Sequence, residues 1–513
     1  MARFKIGMVK QDMFNRLVAI PLLLLATCSY PAPASSDQPR LTATQFALLD
    51  RLTWGANASD AAVLVRQGSA RWLDEQLHPP ATDAIPAEVA AQIAALPLGK
   101  DMTTTVIRLE AISERAIRAP LLSDRQRYSD DYLRELQLIG NATADRAVLR
   151  ALYNPAQLKE QLSWFWFNHF NVLIWAAPTH AMIADYEDRA IRPHVLGKFR
   201  DLLEATVRHP AMLRYLGNNA NTATTGNENY ARELLELHTM GVGSGYTQQD
   251  VQALARILTG VGYTTVADPP KLGSGGIRDG LFEFDPAKHD FGNKLLLGHK
   301  IKGSGYGEVT AALDLLAAQP ATAQHVSERL AQFFIGDHPS RAVVDAMAAR
   351  FVASGGDIAA VLATLFTASE FTVGGTAFKD PMHYTLAAVR LVHDGRRIAY
   401  PHTLVTWIGL QGEGPYVRQT PDGYPLTGDE WAGPGQMAGR FDMSRTFVNP
   451  RSELFVGGKE DAAPVKLLPL KQRIADAGLF PKLASKTREA LLETTSEADW
   501  AALLLSSPDF MRR

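Results

Sequence analysis

The sequence predicts a mainly α fold: a large multi-helical, bundle-like architecture with long loops and at most a small β-hairpin. Three observations lead there. From Thr42 onward, apolar residues recur at helical spacing in one segment after another. Those segments are separated by Pro- and Gly-rich stretches that cannot continue a helix. Strand-like text is confined to residues 260–306, where FEFDP and NKLLLG are the candidates.

Taken in order, residues 42–80 hold two short amphipathic helices, the second starting at Asn57-Ala58-Ser59. Pro79, Pro80 and Pro86 make a turn, and AEVAAQIAAL and TTTVIRLEAISERAIR continue the helical text. Pro155 opens a helix that sends Leu158, Leu162, Phe165 and Trp166 to a core, with Asn168 and His169 set in the densest aromatic patch of the chain. Pro193 opens or kinks a helix ending near His209, and Pro210 starts another. Thr225 and Glu228 have the spacing of a capping box ahead of NENYARELLELHTM, which Gly241 ends. Thr247 with Asp250 then starts VQALARILTG. The asparagines Asn218, Asn219, Asn221, Asn227 and Asn229 crowd the approach to this hairpin, where asparagine caps helices, tolerates unusual backbone angles and satisfies buried carbonyls. After the 261–306 excursion, helices follow in GEVTAALDLLAAQPATAQHVSERLAQFFIG, RAVVDAMAARFVASGGDIAAVLATLF, PMHYTLAAVRLVHDG and HTLVTWIGL. Others start at MAGRFDMSRTFV, KQRIADAG and ADWAALLL. The body spans residues 42–510, with 42–260 and 307–510 as candidate subdivisions around the excursion.

The chain of 513 residues is long enough for a large core. A formal charge of −2 gives no electrostatic case for nucleic acid. Arg3, Lys5, Lys10 and Arg16 precede an apolar run too short to span a membrane, the pattern of an export signal. Two processing sites are open: before Cys28, giving a lipoprotein lipidated on Cys28, or after Ala34 in Ala32-Pro33-Ala34. Both give a periplasmic, outer-membrane or secreted protein whose membrane contact is an N-terminal anchor. Because Cys28 is the one cysteine, the mature chain forms no internal disulfide, and cysteine-held Fe–S clusters and c-type haem are excluded.

Two constellations carry chemistry. On the central helix Glu233 and Glu236, three apart, share a face, while His238 points elsewhere. His169 or His289 from another segment can complete that pair as an acid/base or divalent-metal site. The alternative pairs Arg232 with Glu228 or Glu236 and makes His238 a cap of the helix end. The second constellation is Asp285, His289 and Asp290 in FDPAKHDFGNK, residue types that orient a water or bind a divalent ion, or that simply fix a loop. If this loop folds over the central helix, the two become one site. No GxSxG elbow, HExxH helix, phosphate loop or dinucleotide fingerprint occurs.

LSWFWFNHFNV (162–172), GNENYARELLELHTMGVGSGYTQQDVQALARILTG (226–260), FDPAKHDFGNKLLLG (284–298) and PDGYPLTGDEW (421–431) together resemble the DUF1800 family of uncharacterised bacterial exported proteins. The resemblance implies export and a partner in another exported protein encoded nearby, and it transfers no reaction. It also makes His325 a poor functional candidate, because the family pattern is usually apolar at that place. Two functions follow as expectations: a hydrolase acting on envelope or extracellular material, or a noncatalytic envelope scaffold or binding protein.

Overall fold

A computed structural model describes residues 41–99, 101–373, 377–456 and 469–513. The expected export signal, both expected processing sites and Cys28 lie outside the described residues, as does most of the 450–465 loop. Residues Pro39–Arg513 form a compact unit with its own core.

The architecture is mainly α, with long loops and two small sheets. Helices form where the apolar spacing places them, and local chemistry sets their ends. Three helices, not two, occupy residues 42–80: Ala43–Leu52 behind a Thr42/Gln45 capping box, Ala58–Gln67 capped by Asn57, and Ser69–Leu77. The first two fit the expected pair; Gly68, at φ +81, divides the rest. Helix Gln157–His169 is buried along its whole length, which explains its lack of a polar face. Its Leu158, Leu162, Phe165 and Trp166 lie in the core as expected. Behind it run Phe199–Arg208 and Pro210–Tyr215.

The central hairpin departs from expectation at its start. Thr225 is not a cap: its hydroxyl donates to the Ala220 carbonyl, and the Thr222 hydroxyl accepts from Thr225 N. The helix begins at Asn229, whose amide donates to Asn227 Oδ1, and after Glu233 it widens into a π-helical turn over Leu234–Thr239. The second helix, Gln248–Ile257, has the expected Thr247/Asp250 capping box.

The 261–306 excursion is more ordered than one hairpin. Strands β1 (Val261–Tyr263), β2 (Ile277–Asp279) and β3 (Phe282–Phe284) form an antiparallel sheet with β3 central, Phe284 lying opposite both Val261 and Ile277. Strands β4 (Lys294–Leu296) and β5 (His299–Ile301) form a hairpin through Leu297 and Gly298, both at positive φ, as a two-residue turn requires. Leu297 N donates to Asp250 Oδ1 at 2.6 Å, so the hairpin is tied to helix Gln248–Ile257.

Segments far apart in sequence are tied together. Arg390 donates to the carbonyls of Gly55 and Leu152 and pairs with Asp60, while Arg513 donates to the Phe333 carbonyl. The result is one core running from Leu41 to Met511.

Candidate functional site

Four segments meet at the C-terminal end of helix Gln157–His169. Asn168 and the Tyr424 backbone exchange two hydrogen bonds, at 2.9 and 2.6 Å, and Asn171 donates to the carbonyls of Arg418 and Thr420. The side chains thus do for the 418–424 loop what a neighbouring strand would do. Gly423, at φ +75, is required here, since a Cβ would run into the Asn168 carbonyl oxygen.

Between those asparagines lies His169, whose Nε2 is 3.1 Å from the His238 carbonyl oxygen. His325 does the same for the Leu237 carbonyl at 3.2 Å. Both carbonyls belong to the π turn, whose hydrogen bonding leaves them open, and a carbonyl only accepts. Both imidazoles therefore carry their proton on Nε2 and keep a lone pair on Nδ1. His169 Nδ1 has no partner in the fold, and on the fully buried His238 neither nitrogen has one. The His169 ring lies 6.3 Å from that of His238 and 6.0 Å from that of His325. Arg329, one helical turn beyond His325, completes the group.

Burial is the main cause that holds the three imidazoles neutral, with Arg329 adding to it. His238 is lowered to about 3, His325 to about 4, and His169 well below the ordinary value. Arg329 itself is lowered to about 10 by burial, partly offset by Asp422.

Over this group stands an acidic rim. Arg232 lies 3.4 Å from both Glu228 and Glu236, the pairing that a purely structural role predicts. Glu233 is half-buried, and among the described residues no hydrogen bond or ion pair holds its carboxyl. Burial raises its carboxyl, Glu236 and Asp422 raise it further, and Arg232 opposes them. Tyr215 and Tyr246, both half-buried, flank the rim and are pushed up to about 12, by burial first and by these carboxylates second. Asp422 is in reach of Arg418 at 3.3 Å.

The other expected residues are held elsewhere. His289 is buried, with Nδ1 2.7 Å from the Thr259 carbonyl oxygen and Nε2 2.9 Å from Glu308 Oε1. Although burial works against its charge, Glu308 is held below the usual carboxylate range by His289 and Lys294, and it also accepts from Ser304 N and Gly305 N. Asp290 is lowered to about 2 by Arg256, whose Nε lies 2.7 Å away, and accepts from Gly292 N. Asp285 caps the turn Pro286–Lys288 and faces Lys288 at 3.3 Å. Among the described residues no hydrogen bond or ion pair joins Asp285, His289 or Asp290 to Glu233 or Glu236.

The single combined site is thus divided. His169 goes with the π turn, whereas His289 goes with Thr259 and Glu308. Glu233 and Glu236 do share a face, with His238 turned away from it as expected. His238 is not a cap, however: its carbonyl is capped by His169. Among the described residues, no group of three or more His, Cys, Asp or Glu side chains is placed to hold a metal ion. The donor chemistry explains why, since two imidazoles commit Nε2 to carbonyls and a guanidinium stands beside them. His169, Glu233, Glu236, Asp285, His289 and Asp290 therefore do not fit one divalent ion.

Sequence reasoning missed Arg329, Asp422 and Glu308, and it set His325 aside. The available signal was His325 and Arg329 four apart on the apolar face of one helix.

A family model described as "Protein of unknown function (DUF1800)" matches residues 47–512. No curated protein and no solved structure matches the chain.

Proposed function

The chain belongs to the DUF1800 family, and from that premise we propose that it is an exported envelope protein that binds a polyhydroxylated ligand at the rim of Glu233, Glu236 and Asp422. One observation carries this reading: Glu233 is a half-buried carboxyl with no hydrogen bond or ion pair among the described residues, shifted towards its neutral form beside Glu236 and Asp422. A neutral carboxyl both donates and accepts, as a sugar hydroxyl does. Arg232, Arg418 and the Tyr246 phenol supply donors around it, while Tyr215, whose hydroxyl donates to the Gln419 carbonyl at 2.7 Å, supplies an apolar face. The imidazoles below act on the scaffold, since two of them hold backbone carbonyls.

A hydrolase acting on envelope or extracellular polymer is the second reading, and the same carboxyl favours it. A Glu233 carboxyl shifted towards its neutral form beside Glu236 and Asp422 has the asymmetry of a general acid and its partner. Glu233→Gln separates the two. Gln keeps a donor and an acceptor, so binding of soluble envelope polysaccharide, followed by calorimetry, is expected to stay within about threefold of the parent. Asp422→Asn is expected to weaken binding by about tenfold, the size of one charge-assisted hydrogen bond. If the parent releases reducing ends from the polymer and Glu233→Gln does not, the hydrolase reading replaces binding. If the parent binds no polysaccharide and releases none, both readings fail.

A further inference from the structure

Helices Met102–Arg118 and Leu122–Tyr153 run as a hairpin, and only its base is built into the body. In the first helix the buried residues are Thr105, Val106 and Leu109; in the second, burial begins at Leu136. Between Leu109 and Leu136 only Ala119 is buried. The fourteen steps from Leu122 to Leu136 rise about 21 Å at 1.5 Å each, so the hairpin extends well past its last core contact.

Its apex is apolar. Ile117, Leu121 and Leu122 are 72%, 61% and 80% exposed. Around them stand Arg115, Arg118, Arg125 and Arg127, all exposed. Arg125 closes the turn by donating to the Ala119 carbonyl at 2.6 Å. Arg118 and Arg127 lean on Glu114 at 3.6 Å and Asp124 at 3.1 Å, solvent-exposed pairs that exchange readily for another anion.

We propose that this apex docks on an anionic phospholipid surface, Ile117, Leu121 and Leu122 entering the headgroup–acyl boundary while the arginine collar meets lipid phosphates. The collar is what selects a membrane as the occupant. Guanidinium groups pair with phosphate in a planar fork, and large aliphatic side chains set inside such a ring match the polarity step of a bilayer interface. The contact is a dip and not a span, since no described helix is long and apolar enough to cross a membrane.

The test uses the chain from Pro39 onward, which carries the compact body, with vesicles of phosphatidylethanolamine containing phosphatidylglycerol and with neutral phosphatidylcholine vesicles. Co-flotation is expected with the first and only weakly with the second, falling as salt rises. The triple change Ile117→Ser, Leu121→Ser and Leu122→Ser removes exposed side chains only, and it is expected to cut co-flotation about tenfold or more without moving the melting temperature. With Leu122→Trp, the emission should shift to the blue on adding the anionic vesicles. No flotation by the parent, equal flotation on both vesicle types, or undiminished flotation of the triple variant each overturns the proposal. So does a parent dimer in sedimentation that the triple variant converts to monomer, which would assign the apex to a second copy of the chain.

Discussion

At the scale of single residues the centre of the molecule is set by where imidazole protons go. His169 and His325 donate from Nε2 to carbonyls, and His238 lies between aromatic rings with neither nitrogen satisfied. The groups facing His238 are His169, His325, Arg329, Phe170 and Tyr230. None of them is an anion that would stabilise an imidazolium. The folded value of His238, about 3, lies below the ordinary 6.5, so on acidification the unfolded chain takes up the proton first. Its contribution is complete above pH 6.5 and is lost as the pH falls towards about 3. At pH 4.5 that loss is on the order of 2–3 kcal/mol for this one side chain. Thermal unfolding between pH 7 and pH 4.5 is therefore expected to be flatter for His238→Phe than for the parent. Parallel profiles would mean that the buried imidazole does not sense the proton.

At the scale of elements, what could be read from the sequence was what local chemistry decides. The Thr247/Asp250 box, the Asn57 cap, the buried face of helix Gln157–His169 and the strand positions of FEF and KLL are each fixed by a few adjacent residues. The π turn was not legible, because its open carbonyls are satisfied by His169 and His325, remote in sequence from the turn and from each other. Nor was the partnership of His289, since Glu308 comes from a helix beyond the loop. The five described strands have three residues each, and β1 (VGY), β2 (IRD) and β5 (HKI) lack the Phe-Glu-Phe alternation or leucine run that makes β3 and β4 stand out. The 418–424 loop is an element whose position depends on one glycine. Gly423→Ala meets both a positive φ and the Asn168 carbonyl, and an expected cost of about 2–4 kcal/mol should appear as faster amide exchange at Tyr424. Unchanged exchange there would show that Asn168 does not hold the loop.

At the scale of the whole molecule, the polar interior divides into two kinds of centre. Around the π-helical turn Tyr186–Ile191 every charge is answered: Glu187 accepts from Tyr416 at 2.5 Å and faces Arg146, Arg150 and Arg192, while Arg192 takes both oxygens of Glu160 at 2.7 Å. Such a network resists the loss of any one member. Around Leu234–Thr239 the buried imidazoles meet no counter-charge, and His169 Nδ1 and both nitrogens of His238 are left without a partner among the described residues. The two candidate subdivisions are also cross-braced, with Arg390 reaching Gly55 and Leu152, Arg51 reaching Phe371, and Tyr153 reaching Arg396. Residues 42–260 produced alone are expected to show no cooperative thermal transition, since their side of the shared core would face water. A sharp transition in that fragment by calorimetry would establish it as an independent domain.

The wide turn at Leu234–Thr239 has a further meaning as a matter of frame. A π turn is an α helix carrying one surplus residue, and each residue advances an α helix by about 100°. The surplus residue is stowed where two imidazoles can cover the carbonyls that it strands. A chain shorter by one position in this stretch would close back to the ordinary repeat and would no longer need those covers. Everything after it up to Gly245 would then swing by about that angle, carrying the His238 ring out of register with Phe170. The length of this turn therefore sets the aim of the centre as firmly as the identity of its side chains does.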